Sequence, residues 1–288
     1  MGPHPAHRPP RATSAHQIDL LAQVDHLRTL GADFGALHTS VTKLKAEPGS
    51  ELLAQLAPKI VQIHELFGRT LQRLAALDGS QYTVVPGSRS SLETLSSAAA
   101  TASLAAADLA NAVAENPLEG ADFAGGPPVD DDAVRRVRHA EAAPRLAAAL
   151  ADAAHDLDLC ATSCLYTASG IIRNLTDHPE HRPPLPHLTP AQHTALEKIA
   201  QGGASLSRSL RGGRESVQAS DGSTIHAKPF HVLAENRLIR VQGTSLLVRD
   251  ITITTAGRLA LATQKPGRAP TAAPAKVPTA VATGARRR

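Results

Sequence analysis

Four long stretches of this sequence carry apolar residues at intervals of three and four, and this spacing constrains the fold more than any other feature. Because an α-helix completes a turn in 3.6 residues, the spacing keeps these side chains on one helical face. The first stretch carries Leu20, Val24, Leu27, Leu30, Phe34, Leu37, Val41 and Leu44. The second has the most regular heptad pattern, of the kind found in coiled coils, interrupted only at Thr70: Leu53, Leu56, Ile60, Ile63, Phe67, Leu74 and Leu77.

The third and fourth stretches follow the same rule with smaller side chains. The third carries Leu92, Leu95, Ala99, Ala102, Ala106, Leu109 and Val113. The fourth carries Leu146, Leu150, Ala153, Leu157, Cys160, Cys164, Ile171 and Leu175. Four amphipathic helices joined by short or moderate loops predict an antiparallel four-helix bundle over residues 17–176.

Proline and glycine mark the expected helix boundaries. Residues 117–129 are expected to form a loop, and Pro58 predicts either a kink or a helix start near Ala57. Pro144 is expected to divide the fourth stretch. The pairs that should end the first three helices are Pro48-Gly49, Asp78-Gly79 and Asn116-Pro117.

Charge is distributed unevenly, although the formal net charge is only +4. Residues 17–187 contain 13 basic and 21 acidic side chains, residues 188–262 contain nine and five, and residues 263–288 contain six and none. A basic C-terminal part beside an acidic middle is expected of a nucleic-acid-binding end joined to a partner-binding or regulatory end. A soluble protein with a basic tail is the alternative.

The remaining segments have the composition of tails and linkers. Residues 1–16 are rich in Pro and His and residues 263–288 are basic without an apolar period, so both are predicted to be disordered. Residues 177–188 contain four prolines and predict a semi-rigid linker. The N-terminus lacks the apolar segment of a secretory signal and no run reaches about 18 apolar residues, so we expect a cytoplasmic protein that does not enter a membrane.

Residues 189–262 mix helix and strand patterns, which predicts a small α+β domain. Thr189-Pro190 is a typical helix start, and Gly202-Gly203 ends that helix. The patterns that follow predict a hairpin over Ser205–Val217, a helix from Ala227 to Asn236, strands over Leu246–Val248 and Ile251–Thr254, and a short helix capped by Thr255 and ending at Leu261.

Two phrases of this segment resemble MarR-like winged-helix proteins. N-R-L-I-R-V (Asn236 to Val241) is similar to the transition from helix to wing, and I-T-I-T-T-A-G-R (Ile251 to Arg258) to the junction of strand and last helix. The chain departs from that pattern at Ser205–Val217, where a hairpin replaces a helix. The resemblance implies a winged-helix-like domain that binds double-stranded DNA, with the Ala227–Asn236 helix in the recognition position.

The resemblance also implies which side chains contact DNA. The candidates on and beside the recognition helix are His226, Lys228, His231, Asn236 and Arg237. The candidates for phosphate contacts are Arg208, Arg211, Arg214, Arg240, Arg249 and Arg258. Phosphate contacts supply affinity and salt dependence, whereas contacts to base edges supply sequence choice. The alternative is that these charges only solvate the surface of a small domain.

Other chemistry has little support in the sequence. Cys160 and Cys164 fall on the inner stripe of their helix and are expected to be small buried residues. His178 and His181, with two acidic neighbours, could hold a metal in principle, but no rigid scaffold surrounds them. Phosphate-binding glycine loops and paired E-x-x-H motifs are missing, so we expect neither an enzyme, a metal nor a cofactor.

The sequence therefore predicts a non-enzymatic DNA-associated protein, with transcriptional regulation as a candidate role. The winged-helix-like domain would contact DNA, and the bundle would form a homodimer or bind a helical partner. The alternative is a structural or interaction protein in which both parts dock other proteins without nucleic acid.

Overall fold

The computed structural model describes residues 16–118, 132–208, 215–243, 245 and 247–264. The chain separates into two compact units, the helical unit (to Pro184) and the C-terminal unit (from Leu185). Nearly all of the predicted tails over residues 1–16 and 263–288 lies outside the described residues, as does most of the predicted loop at 117–129. In the described part of the chain, no helix is both long enough and apolar enough to cross a membrane.

Four long α-helices build the helical unit: α1 (Leu20–Thr42), α2 (Ser50–Asp78), α3 (Ser88–Glu115) and α4 (Asp132–Asp177). Helix α1 packs against α2 and α4, and α3 packs against the same two helices. Helices α3 and α4 run antiparallel, because Glu115 at the end of α3 pairs with Arg145 near the start of α4 at 2.9 Å. Farther along, Cys160 of α4 donates a hydrogen bond to the Ala98 carbonyl in the first half of α3.

The predicted apolar stripes of α1 and α4 form much of the core. On α1 the stripe from Leu20 to Val41 is at most 4% exposed, and on α4 the stripe from Leu146 to Leu175 is at most 6% exposed. Leu44 is half-buried and lies beyond the end of α1. Helix α3 presents small residues to its neighbours but is not buried all round, since Leu104 is 59% exposed.

The stripe predicted on α2 is partly wrong. The residues that α2 buries are Leu52, Leu56, Ile63, Leu66, Thr70 and Leu77. Leu53, Ile60, Phe67 and Leu74 are only partly buried. Thr70 is no interruption, because its hydroxyl donates to the Leu66 carbonyl at 2.8 Å and a satisfied hydroxyl can be buried at low cost.

Both prolines lie inside continuous helices. Helix α2 begins at Ser50, so the later start near Ala57 is wrong, and α4 is not divided at Pro144. A proline leaves the carbonyl four residues earlier without its helical donor. Here Pro58 and Pro144 are exposed, and so are Ala54 and Ala140, so water can solvate the freed carbonyls.

The C-terminal unit joins three helices to a five-stranded antiparallel sheet. The helices are α5 (Pro190–Ala200), α6 (Ala227–Glu235) and α7 (Thr255–Thr263). The strands are β1 (Ala204–Arg208), β2 (Glu215–Gln218), β3 (Thr224–Ile225), β4 (Ile239–Gln242) and β5 (Val248–Ile253), in the spatial order β3-β2-β1-β5-β4. The hairpin predicted over Ser205–Val217 is present as β1 and β2.

Only one face of this sheet is buried. The register places Leu206 opposite Val217 and Ala204 opposite Ile251, and these side chains form the core with α5 and α6. Successive residues of a strand point to opposite faces. Ser207, Ser216 and Thr252 therefore lie on the other face, which is open to solvent and polar apart from Val248, which is 51% exposed.

Two predicted details of the last strands are wrong. Residues Val248–Ile253 form one strand, β5, which pairs with β1 and β4, so the predicted break between Val248 and Ile251 is wrong. The cap of α7 is Thr254 rather than Thr255, because the Thr254 side chain accepts a hydrogen bond from the Gly257 amide at 3.1 Å. The Thr255 position is inside the helix.

Candidate nucleic-acid interface

Helix α6, which the predicted resemblance would place in the recognition position, has a clear inner and outer face. Phe230 and Leu233 are buried, whereas Lys228, His231 and Glu235 are exposed. The three exposed positions are separated by three and four residues, so they share one helical face. The outer face of α6 therefore presents two basic or titratable groups and one carboxylate.

The end of the first hairpin brings three charged side chains together on the helix-covered face of the sheet. Arg208, the last residue of β1, lies directly opposite Glu215, the first residue of β2. Arg249 of β5 lies opposite Leu206 and approaches the Glu215 carboxylate, with 3.8 Å between Nη2 and Oε1. Both members of this ion pair are partly exposed, so the pair adds little stability.

A cleft of about 490 Å³ opens between this hairpin end and the start of α6. Arg208, Glu215, His226 and His231 line it. The His231 ring meets the Phe230 ring edge-on, with 5.5 Å between centroids. We call Arg208, Glu215, His226, His231 and Arg249 the hairpin-end cluster.

The other predicted contact residues do not join the hairpin-end cluster. Asn236 ends α6, and its side-chain amide donates to the Val232 carbonyl at 2.8 Å. Arg237 follows with a φ of 56°. Its carbonyl accepts a hydrogen bond from the Thr254 hydroxyl at 2.8 Å, which ties the α6–β4 corner to the start of α7. Arg258 lies in α7 near this corner.

These residues lie either far from the hairpin-end cluster or on the other face of the sheet. Because β5 runs from Val248 beside the hairpin end to Ile253 beside the α6–β4 corner, the two ends are separated by roughly 17 Å at about 3.3 Å per residue. Arg240 lies opposite Thr252 and therefore projects from the open, polar face of the sheet. Arg211 and Arg214 lie outside the described residues. The predicted set thus divides among different surfaces.

Glu215 is the member of the cluster that sequence reasoning missed. Its position opposite Arg208 depends on the number of residues in the hairpin loop, which a periodicity argument does not specify. The alternation of the strand was the signal: Glu215 lies two residues before Val217, so both point to the same face. The carboxylate matters because it offsets part of the positive charge that Arg208 and Arg249 bring.

Sequence reasoning also missed an acidic cluster in the helical unit. Burial, followed by repulsion from Asp156 and Asp152, raises the pKa of Asp108. Burial, partly offset by the charge of His155, also raises the pKa of Asp156. Asp152 and Asp156 lie one turn apart on α4, a spacing that the sequence shows, whereas the approach of Asp108 from α3 depends on how the two helices pack.

The cysteines and histidines that the sequence analysis considered for redox or metal chemistry are explained by burial or by a nearby carboxylate. Cys160 and Cys164 are fully buried, as expected, and burial raises the pKa of each thiol to about 12. His178 and His181 lie at a short 3-10 turn. Both approach the Glu180 carboxylate, with 3.5 Å between His178 Nδ1 and Glu180 Oε1 and 3.9 Å between His181 Nε2 and the same oxygen. Across the described ranges, no group of three or more His, Cys, Asp or Glu side chains is arranged to hold a metal ion.

Comparison of the chain with models of protein families, with curated proteins and with solved structures finds no match.

Proposed function

We propose that this chain is a non-enzymatic DNA-binding protein with a regulatory role. In this proposal a winged-helix-like C-terminal unit contacts double-stranded DNA, and a four-helix bundle forms a dimer or receives a helical partner. The observation that carries the proposal is the convergence of Arg208, Arg249 and His231 at the hairpin end, with the exposed Lys228 about one helical turn from His231 on α6.

The order of elements supports the winged-helix-like part. Strands β4 and β5 follow α6 directly and pair with each other, as a wing follows a recognition helix. The hairpin of β1 and β2 extends the same sheet on its other side. Helix α6 and the hairpin end therefore border one cleft, which gives DNA a helix and a ribbon to contact.

The charges at the hairpin end suit a phosphate backbone better than a specific base pair. Guanidinium groups bind phosphate oxygens in a bidentate geometry, and such contacts fix the position of a protein on DNA. The outer face of α6 carries Lys228 and His231, which can reach either phosphates or base edges. The proposed interface thus consists of α6 and the hairpin-end cluster and leaves out Arg240, Asn236, Arg237 and Arg258.

The test is binding of the full chain to a labelled 20-base-pair duplex, followed by fluorescence anisotropy at low salt. The double variant Arg208→Ala/Lys228→Ala should lose about tenfold or more in affinity, since each lost phosphate contact weakens binding. Arg240→Ala/Arg258→Ala is the matched control, because it also removes two positive charges, both from outside the proposed interface. No binding by the wild type, or equal losses in both variants, would contradict the proposal.

A second candidate is an interaction protein whose two units dock other proteins. Glu215 and Glu235 support it, because carboxylates on the hairpin end and on α6 repel phosphate. Under this alternative, purification of the full chain from its native cells yields a stable stoichiometric protein partner and no nucleic acid. Under the DNA proposal, the purified chain retains nucleic acid, which nuclease treatment removes.

A further inference from the structure

We infer that the cleft between the hairpin end and α6 binds a small amphipathic acid, a molecule with one anionic group and a short apolar body. This site goes beyond the proposed contact with DNA and does not depend on it. It is a concave space of about 490 Å³, within the range typical of small-molecule sites.

The floor of the cleft is apolar. Leu206, Val217 and Ile225 reach it from three adjacent strands, and Phe230 reaches it from α6. These four residues are only 4–5% exposed, so their packing fixes the shape of the floor. A floor of this kind favours a hydrocarbon or aromatic body over a bare inorganic ion.

The rim of the cleft supplies positive charge. Arg208 lines the cleft, and no side chain in the described part of the structure forms an ion pair or hydrogen bond with its guanidinium. Glu215 is the one carboxylate among the lining residues, and Arg249 already approaches it. An entering carboxylate or sulfonate can therefore bind the Arg208 guanidinium while Glu215 keeps its own partner.

The two histidines make the rim selective for an anion. His226 precedes α6 and His231 lies on its second turn, and both line the cleft. An imidazole ring has one N–H donor when neutral and two when protonated, so each histidine can donate a hydrogen bond to an acid group in either state. A cation of the same size would be repelled by the Arg208 guanidinium. The apolar floor would stabilise the apolar body of the cation no more than that of the acid.

The test uses 8-anilinonaphthalene-1-sulfonate, an amphipathic sulfonate whose fluorescence rises in apolar surroundings, with the full chain. Decanoate should displace the probe, whereas sulfate, which has the charge without the apolar body, should not. Arg208→Met keeps an apolar stem and removes the charge, so it should weaken binding about tenfold, which is about 1.4 kcal/mol. Arg240→Met, on the opposite face of the sheet, should bind the probe as the wild type does.

Proton–carbon NMR of the wild-type imidazole rings locates the site without any substitution. Decanoate should shift the ring signals of His226 and His231 and leave those of His64 and His155, in the helical unit, unchanged. Displacement by sulfate, equal affinity of the wild type and Arg208→Met, or unshifted His226 and His231 signals would each overturn the inference. Because binding is measured without DNA, a negative result leaves the proposed DNA contact untouched, and failure to bind DNA leaves this site untouched.

Discussion

The side chain of Asn116 pairs with both backbone polar groups of Gly49. The Gly49 amide donates to Asn116 Oδ1 at 2.8 Å, and Asn116 Nδ2 donates to the Gly49 carbonyl at 2.9 Å. Asn116 is only 3% exposed, so this pairing takes place out of water. It connects the residue that ends α3 to the residue that precedes α2, and Gly49 has a φ of 134° that favours glycine.

Replacing Asn116 should destabilise the helical unit. Asn116→Ala leaves the buried Gly49 amide without its partner, at about 1–3 kcal/mol, whereas the Gly49 carbonyl keeps the hydrogen bond from the Leu53 amide. Urea unfolding followed by circular dichroism should show a lower midpoint with an unchanged slope. Asn111→Ala is the matched control on an exposed turn of α3, and an equal loss in that variant would contradict the role of the pair.

Two glycines one turn apart on α1 should respond in opposite ways to the same substitution. A Cβ at Gly35 meets nothing within 4 Å, whereas a Cβ at Gly31 meets the Ala161 carbonyl and the Leu165 side chain at 3.1 Å. Gly35→Ala should therefore stabilise the protein by roughly 0.5–1 kcal/mol, because alanine loses less backbone entropy in a helix. Gly31→Ala should destabilise it by pushing α1 from α4.

Thermal unfolding of the two variants provides the measurement, and each serves as the control for the other. A higher Tm for Gly31→Ala than for the wild type would contradict the close approach of α1 and α4. Equal shifts in both variants would mean that intrinsic helix propensity alone decides the outcome.

The helices were predictable where one face of a helix meets the core. The stripes of α1 and α4 follow the spacing of large apolar residues, so periodicity identifies them. The stripe of α2 was only partly predictable, because the heptad pattern leaves out the buried Leu52 and Leu66 and treats the hydrogen-bonded, buried Thr70 as an interruption. The prediction that Pro144 divides α4 was wrong because the carbonyl that the proline frees is exposed to water. That exposure arises only in the folded unit and cannot be read from the local sequence.

The candidate site was less predictable than the helices. The sequence places Arg208 in a predicted hairpin and Arg249 between two predicted strands, and only the register between β1 and β5 shows that the two side chains share a face. The same register separates Arg240 from them. Strand pairing links residues far apart in the chain, and hairpin loop length sets its offset, so local pattern does not determine which charges converge.

The two cysteines should be unreactive in the folded protein. Cys160 and Cys164 are 0% exposed, and burial raises the pKa of each thiol from 9.0 to about 12. Since the thiolate is the reactive form, an increase of three pH units makes it about a thousandfold scarcer.

Labelling with Ellman's reagent at pH 8 tests this expectation. Release of thionitrobenzoate should be slow in buffer and complete within minutes in concentrated urea, with the unfolded protein as the control. Rapid modification of both thiols in buffer would show that the interface between α3 and α4 opens easily.

The Asp108 carboxyl should favour the folded helical unit at acid pH and lose this contribution at neutral pH. Because burial and the neighbouring Asp156 and Asp152 raise its pKa, the folded state binds its proton more tightly than the unfolded state does. The contribution is therefore favourable below the unfolded pKa and is lost as pH rises through the folded pKa. Asp108→Asn should raise the urea midpoint at pH 7 and change little at pH 3.

The gain at pH 7 should be roughly a few tenths of a kcal/mol, the range for exposed or partly exposed like charges. Asp158→Asn makes the same change on the exposed surface of α4, outside this cluster, and should have a smaller effect. A variant of Asp108 that is less stable than the wild type at pH 7 would mean that the carboxylate forms a favourable contact.

The salt dependence of DNA binding should distinguish the two faces of the sheet. A phosphate contact made by an arginine contributes about 0.9 to the slope of log affinity against log salt concentration. Under the proposed interface, Arg208→Ala should lower that slope by about 0.9, because Arg208 lies in the hairpin-end cluster. Arg240→Ala should leave the slope unchanged, because Arg240 projects from the open face of the sheet.

Glu215 provides a change in the opposite direction. Glu215→Gln removes a carboxylate from the phosphate-contacting cluster and frees Arg249 from its 3.8 Å ion pair. Affinity for the duplex should therefore increase about two- to fivefold at low salt, and the gain should shrink as salt screens the charges. Measurements at several salt concentrations for all three variants, with one duplex, give the comparison. A lower slope for Arg240→Ala, or weaker binding by Glu215→Gln, would place the DNA on a different surface of the C-terminal unit.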